Sequence, residues 1–364
     1  MIATYKSRDN FFFFMLDDLD LIEKIDKSGM LDTVANFPDH IVKANKLAED
    51  ISMPEREMNG IVVSGMGGSA ISGDIVKEWL RDRIDVPLIV NRDYDLPKWV
   101  GEDTLAIFLS YSGNTEETLS SFMHGIKRTA LCIAISSGGK LERLCKEKDV
   151  PHIKIPSGFQ PRAATAFLLF PTIRIIQKAK AIDEKVENEI GETIEVCRRI
   201  SKNNKKNVPT HDNLAKSIAT EICSTFPHIY GWRYYVPIAR RWRTQINENS
   251  KMLARFDEVP ECNHNDIVGW TKHREISSIS SCILLKGGDE PDRIAERYNF
   301  MEEVFKDAGA KVLEVHAMGK GLLSRMISLM YIGDFVSCYL AILRKVDHTP
   351  VDVITKLKER LAKI

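Results

Sequence analysis

Two loops rich in glycine and hydroxyl groups carry the clearest chemistry in this chain. The first, GMGGSAISGD at 65–74, follows a short apolar run and opens a helical stretch. Its glycines let backbone N–H groups close on an anion at a helix N-terminus, where the dipole favours negative charge. Gly65-x-Gly67-x-x-Ala70 also matches the dinucleotide fingerprint, but the acidic ribose partner expected about 20 residues on is ambiguous among Asn91, Arg92 and Asp93. The second loop, LSYSGNTEET at 109–118, separates these readings. Ser110, Ser112 and Thr115 place three hydroxyls in one loop, and Gly113 permits a tight backbone. Three hydroxyl donors with helix amides match the three oxygens of a terminal phosphate monoester. The plainer alternative is a helix cap made by Asn114 and Glu117.

Further candidates lie in the second half. Arg162 sits in QPRAA (160–164), Glu248 in RWRTQINENSK (241–251) and His264 in CNHNDIVGW (262–270). Thr349, Lys356 and Lys358 sit in DHTPVDVITKLK (347–358). By residue type alone each has a plain reading: a surface arginine, an exposed helix charge, a surface histidine and solvated lysines. The last helix would pack through Val351, Val353, Ile354 and Leu357.

The elements that must position these residues follow from periodicity. Short apolar runs at 61–64, 87–90, 105–109, 130–135 and 152–155 alternate with helical segments. That pattern indicates βαβ units and a parallel, doubly wound sheet whose strands are buried on both faces. A second alternation begins near 213, with strands expected at 228–230, 281–286 and 311–314 and a long apolar helix at 321–344. Residues 16–58 read as amphipathic helices broken at Gly29, Pro38 and Pro54. Residues 163–206 read as long helices, ending in KNNKKN (202–207), which reads as a solvated linker.

At 364 residues the chain suits two domains of about 100–150 residues with connecting segments. Lys plus Arg and Asp plus Glu both number 51, so the formal net charge is zero. That balance argues against nucleic acid as the main partner. Seven scattered cysteines, with no C-x-x-C pair, fit a reducing cytosol. The opening residues lack the pattern of a signal peptide, and no run is expected to span a membrane. The run FFFF (11–14) has no assigned role.

GMGGSAISGD together with SYSGNTEET resembles the sugar isomerase (SIS) domain, a phosphosugar-binding fold, and 136–158 is similar to its next βαβ step. From about residue 60 onward, including LSRMISLMYIGDFVSCYLAILRKVD (323–347), the order of motifs resembles the bifunctional phosphoglucose/phosphomannose isomerases, a branch of the phosphoglucose isomerase superfamily. The resemblance implies an α/β fold with two SIS-type doubly wound domains, at 59–160 and 211–364. An N-terminal helical segment (1–58) and a helical connector (161–210) complete it.

Several roles are implied with it. Gly67, Gly68, Ser69, Ser110, Ser112 and Thr115 would hold a sugar phosphate. Glu248 would be the catalytic base, His264 the ring-opening histidine, Arg162 the cation near an enediolate and Lys356 the C-terminal active-site lysine, with Lys358 as the fallback. Thr349 stands where conventional phosphoglucose isomerases have glutamine, and threonine there is associated with accepting mannose 6-phosphate.

The implied activity is aldose–ketose isomerisation of hexose 6-phosphates, with no metal and no cofactor. It would run in a cytoplasmic homodimer whose His264 crosses the interface. The residue types suit the chemistry. One carboxylate can move a proton between neighbouring carbons. A guanidinium stays charged beside an enediolate. A histidine titrates near neutrality, and a distant phosphate supplies orientation. The competing readings are a sugar-phosphate sensor, a nicotinamide-dependent oxidoreductase on Gly65–Ala70, and an aminosugar-phosphate isomerase or synthase. Such synthases use an N-terminal cysteine, and no cysteine precedes Cys132.

Overall fold

A computed structural model describes residues 12, 14–54, 56–182, 186–361 and 363. Phe11 and Phe13 of the aromatic run lie outside the described residues. Helices α1 (Leu19–Ile25) and α2 (Met30–Ala35) are joined through Gly29, whose φ of +66° suits glycine. Helix α3 (Phe37–Lys46) starts at Phe37 and carries Pro38 in its first turn. The proline therefore begins a helix where the sequence suggests a break, because its missing N–H costs nothing in a first turn.

The first alternation is β1 (Gly60–Gly65), α4 (Gly67–Leu80), β2 (Leu88–Asn91), β3 (Thr104–Leu109), α5 (Glu116–Lys127), β4 (Leu131–Ser136), α6 (Gly139–Glu147) and β5 (His152–Lys154). The sheet order is β2-β1-β3-β4-β5, parallel throughout, with Ile61 opposite Leu88 on one side and Leu105 on the other. Every residue of β1 and β3 is buried, which is why their sequences are continuous rather than alternating apolar runs. Phe108 and Phe122 meet edge to face in the core of this sheet, among Val62, Ala134 and Leu141.

Helices α7 (Thr165–Lys178) and α8 (Val186–Asn204) follow. Lys202, Asn203, Lys205 and Asn207 of the run 202–207 are exposed as expected, but the other two residues are tied into the fold. Asn204 is buried; its amide oxygen accepts from Ala215 N and its carbonyl accepts from the Tyr339 hydroxyl. Lys206 pairs with Asp32. The Asn204 side chain thus satisfies the buried Ala215 N–H.

The second alternation is α9 (Leu214–Ile222), β6 (Phe226–Trp232), α10 (Val236–Ser250), β7 (Arg255–Val259), α11 (Asp266–Trp270), α12 (Arg274–Ser277), β8 (Ser280–Lys286), α13 (Asp292–Asp307), β9 (Lys311–His316), α14 (Leu322–Leu343) and α15 (Asp352–Leu361). Its sheet order is β7-β6-β8-β9, again parallel. Strand β7 (RFDEV) was not expected. It is a sheet edge, mostly unburied and polar, and carries no apolar run.

Helix α14 is long and apolar enough to cross a membrane by length and composition, against the expectation from sequence. Its apolar window is entirely buried inside the protein, as in a core helix. Helix α15 buries none of its side chains. Val353, Ile354 and Leu357 are exposed rather than packed, because an amphipathic pattern reports a face able to pack and not the presence of a partner.

The chain forms two compact units. One comprises residues 36–198 and 318–328. The other gathers the described residues of 1–35, 199–317 and 329–364.

Candidate active site

In the first sheet the chain passes to β2 on one side after β1 and to β4 on the other side after β3, so segments 65–69 and 110–115 leave the C-terminal ends of neighbouring strands whose connections diverge. Open parallel sheets bind ligands at such a switch point. Ser69 Oγ accepts from Tyr111 N at 3.4 Å, so the two loops are bonded. Ser110 Oγ and Thr115 Oγ1 are 2.9 Å apart, and Ser112 Oγ accepts from Asn114 N at 3.2 Å. Gly67 (φ +50°) and Gly68 open helix α4 beside them. The six residues expected to hold phosphate thus lie on the first turn of α4 and on the hydroxyl loop bonded to it, at the C-terminal ends of two inner strands.

The capping alternative does not describe this loop. Thr115 is the N-cap of α5 and makes no side-chain capping bond. Asn114 works sideways: its oxygen accepts from Lys140 N and its amide donates to Ser112 O, each at 3.0 Å. Gly113 has φ +66°, and a Cβ there would lie 1.8 Å from Gly138 O. Leu141 N donates to Gly113 O, and Ser137 N to Tyr111 O. Loop 136–140 therefore backs the hydroxyl loop.

Arg162 sits on a single 3₁₀ turn, Pro161–Ala163, and is 4% exposed, so it is no surface arginine. That turn packs on Gly68, where a Cβ would stand 3.2 Å from Pro161 O and 3.3 Å from Arg162 Cα. The preceding chain is tied in by Tyr111, whose hydroxyl accepts from Phe159 N at 2.7 Å. Burial pushes the Tyr111 phenol up, against the opposing pull of that amide, and keeps it neutral.

The remaining candidates lie in the other unit. Glu248 is half-buried in the last turn of α10. That helix is fixed to α14 by a buried ion pair, with Arg241 Nε and Nη2 donating to Asp334 at 2.9 and 2.8 Å, and by Gln245 donating to the same carboxylate. Beyond Glu248, Asn249 and Ser250 bond Ser337. Lys251 ends the helix in the left-handed conformation (φ +51°). Its Nζ donates to Glu248 O at 2.6 Å and to His348 O at 2.7 Å. The end of α10 is thereby joined to the segment carrying Thr349, whose hydroxyl bonds the Ser28 hydroxyl.

His264 is exposed on the 3₁₀ turn Glu261–His264, and Lys356 and Lys358 are exposed on α15. Among the described residues, no hydrogen bond or ion pair links His264 or Lys356 to Glu248 or Thr349. Among the described residues there is also no group of three or more His, Cys, Asp or Glu side chains placed to hold a metal ion.

Sequence reasoning missed Lys251, His348, Asp26 and Ser28, the residues that hold Glu248 and Thr349 in place. The one local signal was Asp26-x-Ser28-Gly29, a turn signature between two helices.

Comparison with known proteins agrees with this architecture. A family model, bacterial phospho-glucose isomerase C-terminal SIS domain, matches residues 211–361. A protein of Caldicellulosiruptor bescii named bifunctional phosphoglucose/phosphomannose isomerase is 39% identical over 338 residues, covering 92% of this chain and 99% of the relative. Its namesake in Thermoplasma acidophilum is 36% identical, covering 84% of this chain and 90% of the relative. Among solved structures, a hypothetical protein of Thermus thermophilus matches with a TM-score of 0.73 at 14% identity. It covers 99% of this chain and 97% of the other, a likeness of fold.

Proposed function

The chain belongs to the bifunctional phosphoglucose/phosphomannose isomerase family, and on that premise we propose that it interconverts glucose 6-phosphate and mannose 6-phosphate with fructose 6-phosphate. The observation that carries the reading is the hydroxyl cup: Ser69, Ser110, Ser112 and Thr115 on two bonded loops at a switch point. A phosphate monoester offers the three oxygens that such a cup satisfies.

The chemistry proceeds at the opposite end of the sugar. His264 protonates the ring oxygen and opens the pyranose. Glu248 takes the proton from one of C1 and C2 and returns it to the other, through a cis-enediol. Arg162 stabilises the enediolate oxygen as a fixed cation, and its burial strengthens that attraction. Lys356 faces the sugar from α15, with Lys358 as its alternate. Thr349 discriminates at C2. The reaction needs neither metal nor cofactor, since one carboxylate accounts for the proton transfer. The exposure of His264 supports its donation to a neighbouring subunit in a homodimer. The seven cysteines are buried and form no disulfide, which suits a reducing cytoplasm.

The test is to incubate the purified protein with fructose 6-phosphate and EDTA and follow both aldose phosphates. Formation of both supports the dual, metal-independent activity. Glucose 6-phosphate alone keeps the proton transfer and removes the role of Thr349. Tight phosphosugar binding without either product favours a sensor.

A further inference from the structure

Thr349 is held from a direction that its own neighbourhood in sequence does not reveal. The turn between α1 and α2 lies against the segment 347–349 through two side-chain contacts. Asp26, the C-cap of α1, is buried and accepts from Met30 N at 2.7 Å and Leu31 N at 2.8 Å. The same carboxylate faces His348 Nδ1 at 3.4 Å. His348 is fully buried, and its Nε2 lies 2.9 Å from Cys338 O on α14. The turn and the 347–349 segment are therefore pinned to each other beneath the surface. Two residues beyond Asp26 and one beyond His348, the exposed Ser28 hydroxyl bonds the Thr349 hydroxyl. Thr349 N in turn donates to Asp347 Oδ1 at 2.9 Å.

A threonine hydroxyl has one proton and two lone pairs, and it rotates to suit its partners. A fixed neighbour removes that freedom and settles the direction in which the hydroxyl faces. Glucose 6-phosphate and mannose 6-phosphate differ only in configuration at C2, so the direction of one hydroxyl is enough to favour either. We propose that Ser28 is a positioning residue for substrate selection: by bonding Thr349 it sets the ratio in which the two aldose phosphates are made. This rests on the reading of Thr349 as the discriminating residue.

The experiment measures the initial ratio of mannose 6-phosphate to glucose 6-phosphate formed from fructose 6-phosphate, with the melting temperature of each variant alongside. In Ser28→Ala the ratio is expected to move about threefold or more, as loss of one hydrogen bond implies. Ser28→Thr restores the hydroxyl and returns the ratio toward wild type. In a Thr349→Val background, adding Ser28→Ala changes nothing further. A shifted ratio in Thr349→Val with an unchanged one in Ser28→Ala overturns the role of Ser28 and leaves that of Thr349 standing. An unchanged ratio in Thr349→Val overturns the reading of Thr349 and the inference with it. A wild type that makes glucose 6-phosphate alone does the same.

Discussion

The backbone of Arg162 packs on Gly68 so closely that a Cβ on the glycine would stand 3.3 Å from the arginine Cα. The glycine turn that opens α4 and the buried Arg162 are therefore placed by one backbone contact. Gly68→Ala must push the 161–163 turn by a few tenths of an ångström. Positioning errors of that kind lower turnover more than affinity. The expected result is a fall in kcat of about tenfold with KM changed about threefold or less. A Gly68→Ala enzyme with unchanged kcat would separate Arg162 from the chemistry.

The hydroxyl cup makes the opposite prediction. Ser110→Ala combined with Thr115→Ala removes two donors that would face phosphate and leaves Glu248 and Arg162 untouched. Steady-state kinetics should show KM raised by about 10–100-fold, with kcat affected far less. An unchanged KM would move the phosphate elsewhere.

Stability should depend on pH through His228. This buried side chain lies between the Phe226 and Trp270 rings, and burial, with the nearby Arg255 charge, pushes its pKa down to about 4. The folded protein holds the ring neutral, whereas the unfolded chain protonates near 6.5. The contribution is thus complete above pH 6.5 and is lost as the pH falls from 6.5 toward 4, by up to about 3 kcal/mol. Denaturant titrations at pH 7 and pH 4.5 should show the wild type losing more stability than His228→Phe. Equal losses would contradict the assignment.

The legibility of this protein in its sequence follows burial. The inner strands of the first sheet, β1, β3 and β4, announced themselves because buried parallel strands are apolar on both faces. Strand β7 did not, because RFDEV lies at an edge and keeps polar side chains on both. The hydroxyl loop was legible because its residue types and the turn they require coincide. The burial of Arg162 was not, since its turn packs against Gly68, far away in the chain. The surroundings of Thr349 were equally hidden: Asp26 and Ser28 reach it from the N-terminal helices, and Lys251 ties its segment to Glu248 through carbonyls, which any sequence supplies.

The most direct test of the account is Glu248→Gln, which keeps the size and hydrogen-bonding reach of the side chain and removes its basicity. Isomerisation of fructose 6-phosphate is expected to fall by at least about a thousandfold in this variant, with phosphosugar binding within about tenfold of wild type. Turnover retained in this variant would remove Glu248 from the proton transfer and contradict the mechanism.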